Sequence, residues 1–217
     1  MNILITGTSK GIGRSIAIKF LNEGHIVYGI DRLESSIDDK NYKHYKLDIR
    51  SKELPKIDKD DILILNAGTQ DESEAIDVNL FGTVNVADHY IDTNLKDIKS
   101  ILFIISAAAR NGSEFKNYVI SKGGLLPYMK KLALDLGKYS ITVNSISPGG
   151  VTTSLNQHIL DSSILYEKVK DETILKKWAS PDEIAEWSYF ITVINKSMTG
   201  EDILIDNGEI LRSNFIW

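Results

Sequence analysis

The sequence contains no cysteine, only four prolines, and no apolar run that approaches the roughly 20 residues of a membrane-spanning helix. The lack of cysteine excludes disulfides, thiolate metal sites, iron–sulfur ligation and cysteine nucleophiles. It is compatible with a reducing compartment, and the N-terminal residues MNILITG have strand character rather than that of a secretory signal. We therefore expect a cytoplasmic protein with no membrane partner.

Basic residues are also fewer than acidic ones. The chain has 25 Lys and Arg against 30 Asp and Glu, a net charge of −5, so no general cationic field exists to hold a phosphate backbone. We expect no nucleic-acid partner. The four histidines show no metal-ligand spacing, so no metal site is expected. A length of 217 residues with 42% hydrophobic composition predicts one α/β domain over residues 1–217.

Seven short apolar runs alternate with longer amphipathic stretches. The predicted strands are Ile3–Ile5, Ile26–Ile30, Tyr42–Leu47, Ile62–Leu65, Ile101–Ile105, Ile141–Ile146 and Ile203–Ile205. The stretches of helical length are Gly11–Gly24, Glu74–Leu95, Phe115–Tyr139 and Pro181–Ile194, the last with a helix start at Ser180. This alternation predicts a doubly wound parallel sheet with helices on both faces.

The segment from Thr152 to Trp178 has no strand character, and its mixed apolar and charged residues predict one or two short helices. Ligands of doubly wound sheets bind beyond the carboxyl ends of the strands. The segment follows the sixth predicted strand, so we expect a substrate lid over residues 152–178. A surface insertion is the alternative.

A glycine-rich turn, TGTSKGIG at residues 6–13, joins the first predicted strand to the first helix. Glycine permits the tight turn and lets backbone N–H groups approach a pyrophosphate at the positive end of the helix dipole. A turn that binds nothing is the alternative. The turn residues expected to bind a dinucleotide are Gly7, Ser9, Lys10, Gly11, Ile12 and Gly13.

Asp31 ends the second predicted strand, 18 residues after Gly13. This spacing is close to that of an acid that binds the adenosine ribose hydroxyls, and its carboxylate would repel a 2′-phosphate. NAD is therefore the favoured cofactor. Lys10 and Arg32 could each pair with a 2′-phosphate, so NADP stays open.

Tyr118 and Lys122 have the i, i+4 spacing of neighbours on one helix face. An ammonium beside the phenol should lower the pKa of Tyr118 from about 10, which would allow proton exchange near neutral pH. Without further support, such a Tyr and Lys pair is more often part of an amphipathic helix face than of an active site.

The order of these motifs supplies that support, because the sequence resembles the short-chain dehydrogenases/reductases, a Rossmann-fold family of NAD(P)-dependent oxidoreductases. The resemblance extends from Asn2 to about Leu211. The matching positions are residues 6–13, Asp31, Asp48-Ile49, Asn66-Ala67-Gly68, Asn79, Ser106, the Tyr118 to Lys122 pattern, Asn144 with residues 148–153, and Thr199-Gly200.

The resemblance implies hydride transfer between a nicotinamide and a secondary alcohol or ketone, with Tyr118 as the general acid or base. Ser106 would bind the same substrate oxygen, and Lys122 would lower the tyrosine pKa and hold the nicotinamide ribose. Asn79 would retain a water that extends the proton path. A catalytically silent cofactor-binding regulator or scaffold is the alternative, and the substrate itself is not specified.

Further positions have supporting roles by the same resemblance. Asp48 and Ile49 would border the adenine, and Asn66, Ala67 and Gly68 would support the sheet beside the cofactor. The nicotinamide carboxamide would face the backbone of Pro148, Gly149, Val151 and Thr153. Members of the family usually form homodimers or homotetramers through the long helices that start here near Glu74 and Phe115. We expect the apolar tail 215–217 to pack either on a neighbouring subunit or on its own subunit.

One spacing departs from the family pattern. Ser106 lies 12 residues before Tyr118, one fewer than is commonest, and Ala107 stands where a second serine is frequent. Either the connection from Ala107 to Asn117 is shortened or the serine hydroxyl is displaced.

Overall fold

The computed structural model describes residues 1–211 as a seven-stranded, fully parallel sheet covered by helices on both faces. The predicted doubly wound sheet is confirmed, with bounds within two residues of those expected. The strands are β1 (Asn2–Thr6), β2 (Ile26–Asp31), β3 (Tyr42–Lys46), β4 (Ile62–Leu65), β5 (Ser100–Ile104), β6 (Thr142–Pro148) and β7 (Asp202–Ile205).

The principal helices also lie where the pattern predicts them. They are α1 (Gly11–Asn22), α2 (Thr83–Asn94), α4 (Lys116–Leu136), α5 (Gln157–Leu160), α6 (Ser163–Asp171) and α7 (Pro181–Tyr189), and a further single turn, α3 (Ala108–Asn111), precedes α4. Ser180 caps α7 in a reciprocal capping box with Glu183, as the Ser-Pro-Asp-Glu start indicates. α5 and α6 are the two short helices expected between residues 152 and 178.

Three predicted helices are not α-helical throughout, and the one expected from Phe115 to Tyr139 ends in a 3₁₀ turn, Gly137–Tyr139. The stretch expected from Glu74 to Leu95 starts as a π-helical segment, Ile76–Gly82, and continues as α2. The stretch expected to end at Ile194 finishes as a second π-helical segment, Phe190–Ile194. The apolar pattern did not predict these segments, nor did it predict the single turn of α3 after Ser106.

The sheet separates two apolar cores. One face packs against α2 and α4 around Tyr90 and Phe103, and the other packs against α1 and α7 around Phe20. All four residues of β4, in the middle of the sheet, are buried. A parallel strand covered on both faces has this continuous apolar character rather than an alternating one.

The strand order β3-β2-β1-β4-β5-β6-β7 reverses between β1 and β4. The chain leaves the edge strand β3 and returns to the centre of the sheet beside β1, so connections diverge to opposite faces there. A crevice opens beyond the carboxyl ends of β1 and β4, and ligands of such sheets bind in it. The apolar tail at 215–217 lies outside the described residues.

Candidate active site

The glycine-rich turn closes tightly on the start of α1. Gly7 and Gly11 have φ of +78° and +58°, the left-handed region that favours glycine. A Cβ on Gly13 would lie 2.1 Å from the carbonyl oxygen of Gly7, so α1 packs directly on the turn. Lys10 at the N-cap makes no side-chain cap, and the first turn of α1 has no acidic residue. No side chain therefore caps or neutralises the positive end of the helix dipole at the cavity. Such a free helix N-terminus favours the binding of an anionic diphosphate.

Asp31 lies at the end of β2, on the wall of the same cavity. Its Oδ2 accepts a hydrogen bond from the backbone N–H of Ser9 at 2.9 Å, and its Oδ1 accepts one from the N–H of Leu33 at 2.9 Å. Arg32 points towards Glu74, with Nη1 and Oε2 3.6 Å apart, while Lys10 is exposed. The carboxylate is thus fixed beside the turn, and one of the two nearby cations is already paired.

The ends of β3 and β4 complete this side of the cavity. Arg50 binds Asp48 at 2.7 Å and lowers the pKa of that carboxyl, while Ile49 is buried beside it. The amide of Asn66 donates to the carbonyl oxygens of Thr6 and Gly7, both at 3.1 Å. The loop after β4 is therefore tied to the loop after β1, which holds the crevice at a fixed width.

Lys122 is buried on α4, below the loop that follows β5. Its Nζ donates to the carbonyl oxygen of Ile104 at 3.0 Å. Burial lowers the pKa of Lys122 to about 8, although the carboxylate of Glu114 opposes the change. An ammonium has three N–H donors, so two remain for other acceptors in the cavity.

Tyr118 lies one helical turn before Lys122, and both line the cavity with Ser106. The expected lowering of the tyrosine pKa is wrong. Burial and the carboxylate of Glu114 raise the pKa of Tyr118 to about 12, and a hydrogen bond with Ser106 only partly offsets the rise. The i, i+4 spacing brings Lys122 near, but its ammonium is bound to Ile104 instead.

Despite the altered spacing, Ser106 still acts on Tyr118, because its side chain lowers the pKa of the tyrosine. The connection forms the short helix α3, and the backbone N–H of Ala107 donates to the carbonyl oxygen of Pro148 at 2.7 Å. Arg110 of α3 binds Asp202 at 2.7 Å, which fixes the connection to β7.

Asn79 is fully buried in the π-helical segment, behind the cavity wall. Its Oδ1 accepts from the N–H of Thr69 at 2.7 Å, and its Nδ2 donates to the carbonyl oxygen of Thr69 at 2.9 Å and to Ser121 Oγ at 3.1 Å. The side chain thereby fixes the loop after β4 against α4, at the level of Lys122.

These elements enclose one cavity of about 900 Å³. Every site residue predicted from the sequence lines it except Ser9, Gly13 and Asn79. Ser9 and Gly13 support the turn from behind, and Asn79 supports the loop after β4. The sequence patterns, scattered over most of the chain, therefore converge on one crevice.

The cavity also contains residues that the sequence patterns did not single out. Glu114, Glu172 and Glu209 line it, as does Trp178, whose indole nitrogen would lie 2.2 Å from a Cβ on Gly150. Glu114 falls in the connection from Ala107 to Asn117, which has no motif beyond its position between Ser106 and Tyr118. No sequence signal pointed to Glu209.

Comparison with known proteins agrees with this geometry. Residues 56–209, more than half of the chain, match the short-chain dehydrogenase model described as enoyl-(acyl carrier protein) reductase. The chain belongs to the short-chain dehydrogenase/reductase family. Members of this family are NAD(P)-dependent oxidoreductases, and the chain is an enzyme of that class, acting between an alcohol and a carbonyl group.

Three relatives illustrate the similarity. The L-rhamnose 1-dehydrogenase (NADP(+)) of Thermoplasma acidophilum is 28% identical, with 97% of this chain and 96% of that protein covered. A 3-oxoacyl-(acyl-carrier-protein) reductase of Buchnera aphidicola is 28% identical, with coverage of 94% and 95%. The crystal structure of a short chain dehydrogenase family protein from Francisella tularensis superposes with a TM-score of 0.84 at 29% identity, covering 97% of this chain and 99% of that one.

The residues present fit the dinucleotide that the family uses. The uncapped end of α1 suits a diphosphate, and Asp31 offers a carboxylate on the cavity wall beside the glycine turn. Within residues 1–211, no helix is long and apolar enough to cross a membrane. In the same part of the chain, no group of His, Asp and Glu side chains is arranged to bind a metal.

Proposed function

We propose that the chain transfers a hydride between a nicotinamide and a secondary alcohol or ketone, with Tyr118 as the general acid or base. The observation that carries this proposal is the meeting of Tyr118, Ser106 and the buried Lys122 in the cavity that the glycine turn also lines. The nicotinamide, when bound, supplies or accepts the hydride.

Tyr118 moves the proton. With a pKa of about 12 its phenol is protonated at neutral pH, so it is ready to donate to a ketone oxygen as negative charge develops there. Ser106 donates a hydrogen bond to the same oxygen, which stabilises the charge in the transition state. In the direction of alcohol oxidation, the phenolate form accepts the proton of the substrate hydroxyl.

Lys122 and Asn79 organise the site around the tyrosine. We assign to Lys122 the role of binding the nicotinamide ribose hydroxyls, because its buried Nζ still has free N–H donors after it has bound the carbonyl oxygen of Ile104. Asn79 holds the loop after β4 by both its amide groups and contacts α4 through Ser121. It thus supports the part of the wall next to Lys122, where the resemblance to the family puts the proton path.

Catalysis is tested with the wild-type protein. Purified protein is mixed with NAD and a panel of secondary alcohols, and with NADH and the matching ketones, while the reduced dinucleotide is followed by absorbance. We expect turnover of at least one pair. A protein that binds NADH but converts none of these compounds would remove the catalytic proposal.

We propose NAD rather than NADP as the cofactor. The carboxylate of Asp31 would repel a 2′-phosphate, and Arg32 is partly neutralised by Glu74, which supports the preference. Fluorescence titration with NADH and NADPH in parallel tests it. NADH should bind about tenfold tighter, a difference of about 1.4 kcal/mol. Tighter NADPH binding would make Lys10 and Arg32 dominant and overturn the preference.

We propose that residues 152–178 form the substrate lid. Both ends of the segment meet at a parallel bridge between Val151 and Ala179, and its helices α5 and α6 have no buried residue. Leu155, His158 and Ile159 line the cavity. Limited proteolysis tests the proposal, because NADH with substrate should slow cleavage within this segment. Equal cleavage rates with and without ligands would contradict a lid.

We also propose a cytoplasmic homodimer or homotetramer that assembles through the long helices. The absence of cysteine supports a reducing compartment. Phe81 of the π-helical segment before α2 is 61% exposed, and Ile120 and Leu134 of α4 are 48% and 81% exposed. Association through these helices would remove their apolar side chains from water. Light scattering on the eluting protein tests the assembly, and a monomer at micromolar concentration would contradict it.

A further inference from the structure

A network of hydrogen bonds leads from β3 to the glycine turn and to the loop that follows β2. Tyr42, the first residue of β3, places its Oη 2.7 Å from Thr8 Oγ1 and 2.9 Å from His44 Nδ1. His44 Nε2 lies 2.9 Å from the carbonyl oxygen of Leu33. Thr8 belongs to the glycine turn and Leu33 lines the cavity, so this β3 network joins two parts of the cavity wall.

The direction of these hydrogen bonds follows from the last acceptor. A carbonyl oxygen only accepts, so Nε2 of His44 carries a proton and donates it to Leu33. With the imidazole neutral, Nδ1 accepts from Tyr42, and the phenol oxygen accepts in turn from Thr8. Every polar side-chain atom of the β3 network thereby has a partner, and each hydrogen bond polarises the next one.

Gly29, inside β2, makes room for the β3 network. A Cβ at this residue would lie 2.1 Å from Tyr42 Oη and 2.4 Å from Thr8 Oγ1. Glycine weakens the interior of a strand and often marks the close approach of another group. The two hydroxyls therefore lie directly against the backbone of the strand that ends in Asp31.

The loop after β2 is held at both of the backbone polar groups of Leu33. Its N–H donates to Oδ1 of Asp31 at 2.9 Å, and its carbonyl oxygen accepts from His44 at 2.9 Å. The other carboxylate oxygen of Asp31 accepts from the N–H of Ser9 in the glycine turn. The glycine turn and the loop are thus connected twice, through Asp31 and through the β3 network.

We propose that Tyr42 and His44 position the adenosine end of the dinucleotide site. They hold the glycine turn and the loop after β2 at a fixed separation, so that the turn meets the diphosphate while Asp31 meets the ribose. In the described part of the chain neither side chain lines the cavity, so both act through Thr8 and Leu33. The proposal rests on the proposed function above, because it concerns the site of the same cofactor.

The two halves of the cofactor separate this role from a general effect on the fold. ADP carries the adenosine and the diphosphate, whereas reduced nicotinamide mononucleotide carries the other ribose and the reacting ring. The residues proposed for the nicotinamide follow β5 and β6, which are separated from β3 by three or more strands of the sheet. A loss of position at the β3 network should therefore weaken the binding of ADP and spare that of the mononucleotide.

Tyr42→Phe removes the hydroxyl at the centre of the network and keeps the ring. We expect ADP and NADH to bind about tenfold more weakly, because Thr8 and His44 lose their shared partner and the turn and the loop shift. Reduced nicotinamide mononucleotide should keep its wild-type affinity within about twofold. Calorimetry measures all three affinities. Unchanged ADP binding, or equal weakening of ADP and the mononucleotide, would overturn the proposal.

Tyr90→Phe is the matched control. The Tyr90 hydroxyl donates to the carbonyl oxygen of Pro55 at 2.7 Å, and the side chain is buried in the core under α2. The variant loses one hydrogen bond of the same kind and should be destabilised in urea while its affinity for ADP stays that of the wild type. An equal loss of ADP affinity in Tyr90→Phe would trace the effect to stability and overturn the proposal.

His44→Leu breaks the β3 network at its other end. If Tyr42 and His44 act as one unit, the double variant Tyr42→Phe/His44→Leu should bind ADP within about twofold of the weaker single variant. Losses of affinity that multiply in the double variant would show two independent effects and would overturn the network.

ADP binding also separates this inference from the proposed function. If the wild-type protein binds NADH and ADP but oxidises no alcohol, hydride transfer fails, and the affinities of Tyr42→Phe still decide the positioning role. If alcohol is oxidised while Tyr42→Phe binds ADP as the wild type does, the positioning role fails and the proposed function stands. A wild-type protein that binds neither nucleotide would overturn both.

Discussion

Asp31 accepts a hydrogen bond from the backbone N–H of Ser9 at 2.9 Å, which ties the end of β2 to the glycine turn. The same carboxylate also accepts the N–H of Leu33 at 2.9 Å. The acid that we propose as the cofactor selector is therefore also a structural part of the turn. A substitution that tests selection has to keep an acceptor at this position.

Asp31→Asn meets that requirement, because its amide oxygen still accepts one backbone hydrogen bond while the negative charge is lost. The ratio of NADPH to NADH affinity should rise about tenfold, since repulsion of the 2′-phosphate is removed. Fluorescence titration with both dinucleotides measures the ratio. Asp38→Asn, an exposed site without side-chain partners among residues 1–211, is the matched control. An unchanged ratio in Asp31→Asn would leave selection to other residues.

Gly13→Ala should damage the turn itself. The added Cβ would lie 2.1 Å from the carbonyl oxygen of Gly7 and 2.3 Å from Nδ2 of Asn66, so backbone has to move. We expect a loss of at least about 2 kcal/mol in the free energy of unfolding, together with weak NADH binding. Urea denaturation measures the first effect.

Gly137→Ala is the control for that substitution. A Cβ there meets nothing within 4 Å, and the residue has helical φ and ψ of −56° and −34°. Alanine should stabilise the protein by about 0.5–1 kcal/mol by restricting the unfolded chain. Equal stability of the two variants would show that α1 does not pack on the turn as described.

Alcohol oxidation should accelerate with rising pH. It needs the phenolate of Tyr118, whose pKa is raised to about 12 by burial, so kcat/KM should increase about tenfold per pH unit from neutral pH upwards. Ser106→Ala removes a hydrogen-bond donor from the substrate oxygen and the group that lowers this pKa, so it should lower the rate about 10²–10³-fold at each pH while keeping the same slope. Initial rates across a pH series measure the slope and the loss, and wild-type rates in Ser106→Ala would separate Ser106 from the reaction.

Asp60 gives the fold a pH dependence that is independent of catalysis. Burial raises the pKa of this carboxyl to about 6, so the folded state binds the proton more tightly than the unfolded chain does. The resulting stability is fully present below the ordinary pKa, about 3.8, and is lost as pH rises to about 6. The contribution is on the order of 2–3 kcal/mol.

Asp60→Asn should abolish this dependence, because an amide cannot ionise and its oxygen still accepts from Asn94. The variant should be more stable than the wild type above pH 6, as urea denaturation between pH 4 and 7.5 would show. Asp38→Asn should retain the wild-type slope. The same slope in Asp60→Asn would mean that another group titrates.

The sheet could be predicted from the sequence because short isoleucine-rich runs such as residues 62–65 are typical of strands that are buried on both faces at the centre of a parallel sheet. The π-helical segment around Asn79 was not predictable. A π-helical turn contains one residue more than an α-helical turn. This changes the backbone hydrogen bonds but hardly alters the spacing of apolar residues in the sequence.

The site divides in the same way. Tyr118 and Lys122 stand in one short motif, so helical spacing was enough to predict that they are neighbours. The spacing could not predict which acceptor binds the lysine ammonium. Ile104 on β5 holds it, and the predicted effect on the tyrosine pKa was therefore wrong. Glu114, before α4, and Glu209, after β7, line the same cavity. This depends on how β5, β6 and β7 are packed, which no local pattern encodes.

The Tyr118→Phe variant tests the central claim most directly, because it removes a single hydroxyl from the cavity. It is compared with the wild type for NADH binding by fluorescence and for turnover of the best alcohol found in the screen. The account predicts unchanged NADH affinity and a kcat lower by about 10²–10⁴-fold. Turnover equal to that of the wild type would contradict the assignment of Tyr118 as the general acid or base.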